Sequence, residues 1–452
     1  MLICGYAGVG KSALVEELYK PITAKRGYFV SGKFDQFGRN IPYSAIVHAL
    51  QKLVQQLLGE PDEQLKQWRY RLLTALGSNG QIIIDVILEV ELIIGKQPPV
   101  PEVGTTETQN RFNRVFGQFI RVFGSAEHPL VIFLDDLQWA DSATLKLIEL
   151  MMTDTQTQYL FLIGAYRDNE VNYSHPLRIM LEELRKEGAT TSQITLAPLG
   201  LNAVAQLIAD TLHSDISTII SLAELVLRKT GGNPFFVNEF LKTLYAENLL
   251  SFDLENVSWQ WDITHIEGKN ITDNVVELML GKLKKLPPAT QQVLQFAACV
   301  GAVFDLSTLS IICESSSGEI FPLLSVAAQS GLIVPTSQLD EQLVQDYKFL
   351  HDRVQQAAYA LIEESHKQVV HLQIGRNLLK KTLPERISER LFEIVDHLNY
   401  GIELVADSKL RESESKMTQF LEAIPVGIAI LDTSGRLYYF NQRATQLLAK
   451  WH

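Results

Sequence analysis

An eight-residue stretch near the start of the chain, Gly5 to Ser12, has the pattern G-x-x-x-x-G-K-S. Apolar residues come directly before it, and a segment from Lys11 to Tyr19 with the periodicity of a helix follows it. A strand that runs into a helix is the context that this pattern requires before it can be accepted as phosphate-binding. We therefore predict a phosphate-binding loop between the first strand and the first helix of a parallel α/β sheet.

Each residue type in this loop has a physical role in binding a nucleotide. Glycines let the backbone bend until its N–H groups face the phosphates, and the helix N-terminus adds partial positive charge. Lys11 is expected to reach the β- and γ-phosphates, and Ser12 to ligate Mg²⁺. Lys11 is predicted to be catalytic, and the predicted nucleotide-binding residues of the loop are Gly5, Gly8, Val9, Gly10, Lys11, Ser12 and Ala13.

The overall composition limits the class of protein that contains this loop. Of the 452 residues, 46% are hydrophobic and 20% are charged, which is typical of a soluble globular chain. This length predicts about three domains. Forty Lys and Arg residues against 52 Asp and Glu residues give a net charge of -12. This balance argues against nucleic-acid binding, although it leaves room for a local basic face.

The lack of recognisable targeting segments and the placement of the cysteines predict a cytoplasmic location. No stretch approaches the roughly 18 uninterrupted apolar residues of a membrane helix, and the first residues lack the features of a signal peptide. Cys4, Cys299 and Cys313 lie in apolar runs without C-x-x-C spacing. We expect buried thiols in a reducing compartment, without a disulfide framework or a zinc site.

The predicted helices and strands divide the chain into six segments. Residues 1–200 alternate strands with helices, which is typical of a parallel sheet covered on both faces. The other five are a helical lid at 201–249, a hairpin connector at 250–270, a winged helix at 271–363, a helical segment at 364–410 and a linker with a helix–strand–strand tail at 411–452. Winged helices often bind DNA, but the fold alone does not assign that function.

In the winged-helix segment the sequence predicts helices that begin near residues 273, 289, 305 and 319, followed by two strands. The strands are predicted at 331–335 and 347–350, where they form the wing.

Two adjacent acids provide the carboxylate that a phosphate loop needs as its Mg²⁺ partner. Asp135 and Asp136 follow the run Leu130 to Leu134, whose unbroken apolar character predicts a strand buried on both faces. We assign Asp135 to the metal. We expect Asp136 to act on the attacking water, as general base or as the group that orients it. A solvated turn after the strand is the alternative.

The stretch from Asp135 to Asp141, DDLQWAD, resembles the second nucleotide motif of the STAND class of P-loop ATPases, the signal-transduction relatives of the AAA+ family. Four further stretches are similar to the ATPase module of large bacterial, notably cyanobacterial, sensor proteins: KFDQ at 33–36, LIGAYRD at 162–168, GNPFF at 232–236 and YKFLHD at 347–352. In those sensors the module lies between a serine/threonine kinase domain and PAS, GAF and histidine-kinase domains. The resemblance covers nearly all of residues 1–405.

The resemblance implies an architecture for the whole chain. The fold class is an α/β P-loop NTPase core with a parallel sheet, then a helical lid, a winged helix and an α-helical segment. From about residue 417 the tail resembles the start of a PAS domain, too short to bind a cofactor of its own. We also expect the chain to be an inner part of a longer sensor, with any kinase activity residing in domains outside it.

The resemblance also implies roles for three residues outside the loop and the acidic pair. Arg167 matches a sensor arginine that contacts the γ-phosphate, Pro234 matches a lid proline that packs on adenine, and His351 matches a histidine that reaches the β-phosphate of ADP. Arg167 is predicted to be catalytic. The alternatives are a surface ion pair of Arg167 with Asp168 or Glu170, a turn and helix start at Pro234, and a helix start at His351.

Other polar residues are assigned no site. Lys33 and Arg39 lie after the second predicted strand, where a solvated loop is favoured over an approach to the nucleotide or a partner domain. His48, His128 and His175 show no metal-ligand spacing, so the only predicted metal is Mg²⁺.

The sequence as a whole predicts a regulatory switch that binds ATP or ADP with Mg²⁺. We expect slow hydrolysis of ATP, a winged helix that closes over ADP at rest, and control of the docking of flanking sensor and kinase domains or partner proteins by the nucleotide. The alternatives are a DNA-binding regulator that uses the winged helix, a nucleotide-locked scaffold without turnover and a small-molecule phosphotransferase. Nucleotide-dependent oligomerisation is left open.

Overall fold

The computed structural model describes residues 1–35, 42–101, 104–269, 274–336, 346–382, 387–401, 429–431 and 437–440. The chain forms two compact units, Met1–Ile271 and Thr272–His452. Each unit has its own helices and strands, and the two are described separately.

The first unit contains, among its described residues, a five-stranded sheet formed by β1 (Leu2–Cys4), β2 (Tyr28–Lys33), β3 (Leu130–Asp135), β4 (Leu160–Tyr166) and β5 (Gln193–Thr195). The strand order is β2-β3-β4-β1-β5, and every neighbouring pair is parallel. The predicted α/β P-loop NTPase core with a parallel sheet is confirmed.

Strand β3 lies at the centre of the packing because both of its faces are buried. Leu130, Ile132 and Leu134 belong to a large cluster on one face of the sheet. Val131 and Phe133 belong to a smaller cluster on the other face. Successive side chains of a strand point to opposite faces, so an unbroken apolar run is what a doubly covered strand requires.

The helices of the first unit that cover this sheet or follow it are α1 (Lys11–Glu16), α2 (Tyr19–Ala24), α3 (Ser44–Leu58), α4 (Asp62–Leu76), α5 (Gly80–Ile84), α6 (Val90–Ile94), α7 (Thr105–Arg121), α8 (Ser142–Thr153), α9 (Pro176–Lys186), α10 (Leu201–Leu212), α11 (Ile216–Thr230), α12 (Pro234–Ala246) and α13 (Ile263–Gly268). Short 3-10 turns lie at Gly77–Asn79, Leu137–Trp139 and Asp168–Glu170.

The single helix predicted over Lys11 to Tyr19 is wrong, because the structure divides this stretch between α1 and α2. Pro21 is the third residue of α2. Proline has no N–H, so it cannot donate the hydrogen bond that would continue α1 through this position. In the first turn of a new helix that missing donor costs nothing.

A two-stranded hairpin follows the helices α10 to α12. Strands β6 (Leu250–Asp253) and β7 (Ser258–Trp261) pair antiparallel, with Leu250 opposite Trp261. The Asp253 carboxylate accepts hydrogen bonds from the backbone N–H groups of Glu255 and Asn256. These bonds fix the turn, since an aspartate side chain replaces the backbone acceptor that a turn otherwise supplies.

The second unit begins with α14 (Val275–Lys284), α15 (Pro288–Val300), α16 (Leu306–Ile312) and α17 (Ser317–Gln329) and with the strands β8 (Val303–Asp305), β9 (Ile333–Pro335) and β10 (Asp346–Phe349). Within the described residues these strands form an antiparallel sheet of order β8-β10-β9. Strand β8 was not predicted, because three residues are too few to show the alternation of a strand. The winged-helix assignment stays a prediction.

The second unit continues with α18 (Asp352–Ala360), α19 (Glu364–Lys381) and α20 (Ile387–Tyr400), and its last described strands are β11 (Ala429–Leu431) and β12 (Leu437–Phe440), an antiparallel pair. Most of the PAS-like tail lies outside the described residues, so its assignment also stays a prediction.

None of the described helices is by itself long and apolar enough to cross a membrane. One pair, α16 with α17, meets the length and composition criteria when taken together, although the two helices are bent by 113°.

A buried histidine pair joins α19 to α20. The Nδ1 atoms of His371 and His397 are 2.8 Å apart, and His371 Nε2 is 3.1 Å from the hydroxyl of Tyr359. Burial, with repulsion from Lys367, lowers the pKa of His371 to about 4. Burial, with repulsion from His371 and Arg390, lowers the pKa of His397 to about 3. Both rings are therefore neutral in the folded unit at neutral pH.

This pair predicts that the second unit loses stability in mild acid. Below about pH 6.5, these histidines bind protons in the unfolded chain but not in the folded unit, where their pKa values are lower. The free energy of unfolding should therefore fall by about 1.4 kcal/mol per pH unit for each proton that only the unfolded chain binds, until the folded pKa values are reached. Urea unfolding followed at several pH values between about 7 and 5 measures the slope.

The matched variants are His371→Asn and His366→Asn. The first should make the pH dependence shallower by about one proton, whereas the second changes a solvent-exposed histidine of the same helix and should leave it unaltered. Equal slopes for His371→Asn and the unmodified chain would contradict the prediction.

Candidate functional site

The candidate site lies at the carboxyl ends of four neighbouring strands, where ligands of open parallel sheets bind. The loop of residues 5–10 follows β1, and Lys33 ends β2. Asp135 ends β3, and Arg167 comes directly after β4. The parallel register pairs Lys33 with Asp135 across β2 and β3. Groups far apart in the sequence are thus brought to one edge of the sheet.

The loop after β1 is folded around the amine of Lys11. Lys11 Nζ donates to the backbone oxygens of Gly5 at 2.9 Å and of Tyr6 at 3.0 Å, and the side chain is buried. Gly10 precedes α1 with a φ of 100°, in the left-handed region that favours glycine. The amine therefore occupies the concave side of the loop, as its predicted role toward phosphate requires.

The two predicted metal ligands lie in direct contact. Ser12 Oγ donates to Asp135 Oδ2 at 2.6 Å, and the other oxygen, Oδ1, accepts from the backbone N–H of Asp136 at 3.0 Å. A hydroxyl and a carboxylate are hard oxygen donors of the kind that Mg²⁺ prefers. The donor set of this pair therefore fits the ion, although its role in binding stays a prediction.

Asp136 is almost fully buried and is held by three side chains. Its Oδ2 lies 3.0 Å from Lys33 Nζ, and its Oδ1 lies 3.3 Å from Arg167 Nε. The amide nitrogen of Gln138 donates to Oδ1 at 2.7 Å. A buried carboxylate is stable only when it is paired and hydrogen-bonded, and these three groups meet that requirement.

Arg167 is buried, with 2% of its side chain exposed. Its guanidinium lies over the ring of Trp139 at 4.5 Å from the centroid, and Nη1 is 2.9 Å from Glu170 Oε1. The pair with Glu170 that was considered as an alternative is therefore present. It is accompanied by the buried contact with Asp136, so a surface ion pair alone does not describe this arginine. Its contact with a γ-phosphate stays a prediction.

The expectation that Lys33 lies in a solvated loop is wrong. Lys33 is the last residue of β2, and its amine pairs with Asp136. The pairing of β2 with β3 was the signal that could have revealed it, because the parallel register sets Lys33 opposite Asp135, the residue before Asp136. Arg39, which was expected in the same loop, lies outside the described residues.

Sequence reasoning also missed Gln138 as a structural link. Its side chain joins two predicted catalytic residues, because its amide nitrogen donates to Asp136 and its oxygen accepts from the backbone N–H of Arg167 at 3.0 Å. His175 Nε2 lies 3.1 Å from the backbone oxygen of Gln138. A glutamine in the DDLQWAD stretch carries no distinctive spacing, so only the structure assigns it this position.

The lid proline and the histidine of the second unit begin helices. Pro234 is the first residue of α12, whose N-cap is Asn233. His351 is the N-cap of α18, and its Nδ1 accepts from the backbone N–H of Arg353 at 3.1 Å. Both helix starts agree with the structural alternatives considered for these residues. The contacts of Pro234 with adenine and of His351 with phosphate stay predictions.

Most of the site lies in a part of the chain that is similar to a known ATPase domain. Residues 1–163 match the family model of the AAA ATPase domain. A solved STAND protein with a tetratricopeptide repeat sensor, from Pyrococcus horikoshii, aligns with 93% of this chain and 48% of its own, at 15% identity and a TM-score of 0.45.

Two curated relatives are histidine kinases. The hybrid signal transduction histidine kinase G of Dictyostelium discoideum is 31% identical over 526 residues, which cover 92% of this chain and 15% of that protein. The peroxide stress-activated histidine kinase mak3 of Schizosaccharomyces pombe is 21% identical over 463 residues, which cover 90% of this chain and 19% of that protein. The chain thus spans less than a fifth of either relative.

These matches confirm the predicted resemblance to an AAA-type ATPase module of multidomain sensor kinases. The chain contains an AAA ATPase-like domain and is similar to a segment of signal-transducing histidine kinases. The two relatives come from a slime mould and a fission yeast, so the bacterial origin expected from the resemblance stays a prediction.

The ion cluster around Asp136 predicts a large stability effect of Arg167. Arg167→Leu leaves a buried carboxylate with one cation fewer, which should reduce the free energy of unfolding by about 3 kcal/mol. Asp136→Asn in the same chain removes the buried charge that has lost one of its two cations and should recover part of that loss. Urea unfolding of the single and double variants measures both effects.

Arg178→Leu is the matched control, because Arg178 also pairs with a carboxylate and lies over an aromatic ring but is exposed. Its effect should be small. A double variant no more stable than Arg167→Leu would show that the buried charge of Asp136 is not the cause.

Proposed function

We propose that this chain is a STAND-type nucleotide switch that binds ATP and ADP and hydrolyses ATP slowly. The observation that carries the proposal is the contact of Ser12 with Asp135 at 2.6 Å, beside an Asp136 held by Lys33 and Arg167. The resemblance of residues 1–163 to the AAA ATPase domain supports a nucleotide as the ligand.

The chain's own residues divide the work of binding. Lys11 is placed to leave its contacts with Gly5 and Tyr6 and donate to phosphate oxygens, since a lysine amine has three donors and no acceptor. Ser12 and Asp135 would hold Mg²⁺, which, when bound, neutralises the charge of the phosphates. The glycines of the loop leave room for the backbone to approach the ligand.

Asp136 is the residue that limits the rate in this proposal. Its contacts with Lys33, Arg167 and Gln138 hold the carboxylate in place. A carboxylate whose oxygens are already engaged by three groups is suited to orienting a water molecule and not to taking its proton, and slow turnover is the consequence, as a switch requires.

The proposed role in signalling follows from the relatives. Both contain segments similar to this chain within much longer histidine kinases. We infer that the nucleotide state of the module alters the docking of flanking sensor or kinase domains in the cytoplasm. Because the phosphates are bound by several strands at once, loss of one phosphate changes contacts at more than one element.

Two substitutions separate binding from hydrolysis. Lys11→Ala should abolish binding of a fluorescent ATP analogue, because it removes the cation that faces the phosphates. Asp136→Asn should keep binding and lower phosphate release by at least about a hundredfold, since its loss removes the group that acts on water. Equilibrium titration and a phosphate-release assay over hours, both with Mg²⁺, give the two quantities.

Lys20→Ala is the control for Lys11→Ala, because it removes an exposed lysine from α2. It should leave both quantities unchanged. Unaltered binding by Lys11→Ala would overturn the proposed site. Binding without measurable phosphate release by the unmodified chain would favour the nucleotide-locked scaffold over the slow ATPase.

A further inference from the structure

The start of α12 is joined to the phosphate loop by two hydrogen bonds. The side-chain nitrogen of Asn233 donates to the backbone oxygen of Ala7 at 2.7 Å, and the backbone N–H of Phe235 donates to the oxygen of Gly8 at 3.2 Å. The other end of the Asn233 amide, Oδ1, accepts from the N–H of Phe236 at 3.2 Å. Asn233 therefore caps its own helix and holds the loop with the same side chain.

The close approach of α12 to the loop leaves room only for a glycine at position 8. The loop pattern requires glycine at Gly5 and Gly10, whereas Gly8 occupies one of its variable positions. Gly8 has a φ of 79°, and a Cβ there would lie 2.7 Å from Asn233 Oδ1 and 3.1 Å from the Cβ of Phe235. Any larger residue would therefore strain the backbone and push the start of α12 away from the loop.

The two bonds also fix the direction of the loop's peptide groups. In a trans peptide the C=O and the N–H of the next residue point in opposite directions, and the described residues contain no cis peptide bond. With the oxygens of Ala7 and Gly8 facing α12, the N–H groups of Gly8 and Val9 face away from it. The N–H of Val9 indeed donates to the oxygen of Tyr6 across the loop, at 3.4 Å.

We propose that Asn233 is a positioning residue that orients the phosphate loop for its ligand. By holding the oxygen of Ala7, it turns the adjoining N–H group toward the side on which phosphate is bound. The proposal rests on the proposed function, because it takes a nucleotide as the ligand. If Asn233 orders the loop and so strengthens nucleotide binding, bound nucleotide in turn stabilises the contact of Asn233 with the loop.

The test uses Asn233→Ser in the full chain. Serine is as good an N-cap as asparagine, so α12 keeps its cap. The serine side chain is shorter, so it cannot cap Phe236 and reach Ala7 at once. Asn274→Ser is the matched control, because Asn274 caps α14 through the same kind of bond, in the second unit. Because serine keeps the helix cap in both variants, neither should show the effect of a lost cap.

Two measurements are made on each variant. The dissociation rate of a fluorescent ADP analogue should rise roughly two- to tenfold in Asn233→Ser, which corresponds to the net loss of one hydrogen bond. Hydrogen exchange resolved to single amides, in the nucleotide-free protein, should become faster at Phe235, whose acceptor is Gly8. The amide of Phe236 stays capped and should keep its protection. Asn274→Ser should change neither quantity.

The outcomes separate this proposal from the function on which it rests. If the unmodified chain binds the analogue and Asn233→Ser releases it at the same rate, with unchanged exchange at Phe235, the positioning role is overturned and the nucleotide site stands. If the unmodified chain binds no nucleotide, both are overturned. Faster release together with faster exchange at Phe235 supports the proposal.

Discussion

The structure depends on the accommodation of one buried carboxylate, that of Asp136. Removing a charge from water at the end of a fully buried strand is costly, and the cost is offset only by partners placed at bonding distance. Lys33 and Arg167 provide the charges; Lys33 ends β2 and Arg167 directly follows β4, the strands on either side of β3. The ion cluster therefore forms only when three strands are in the correct register. The strand register that packs the core is therefore the same register that brings the charged groups of the site together.

The same edge of the sheet places two neighbouring carboxylates in different surroundings. Asp135 and Asp136 are adjacent in sequence but differ in environment, since Asp135 faces the hydroxyl of Ser12 and Asp136 faces two cations. One carboxylate is thus bonded to a neutral hydroxyl, whereas the other is bonded to two cations. In the proposed switch, metal binding and turnover would then depend on different contacts that lie side by side.

Much of the fold and part of the site were predictable because the signals are local. The phosphate loop, the doubly buried strand β3 and the acidic pair are each readable within about ten residues, and Pro21 was a local signal for the break between α1 and α2 that the prediction did not use. Lys33, Gln138 and Asn233 were not predictable in the same way. Their roles depend on strand register or on a helix start more than two hundred residues from the loop, and the motif stretches that contain them do not reveal these contacts.

The position of β1 in the sheet has a consequence for how the domain is made. β1 pairs with β4 and β5 and with no other strand of the described sheet, so its three residues are held by segments about 160 and 190 positions further along the chain. Such distant pairings are slow to form, because the intervening chain must be ordered first. During synthesis, the loop after β1 is made before both of these partner strands and can reach its final fold only once they follow. The loop is therefore completed only after β4 and β5 have been made, and any ligand that it holds can bind only late in folding.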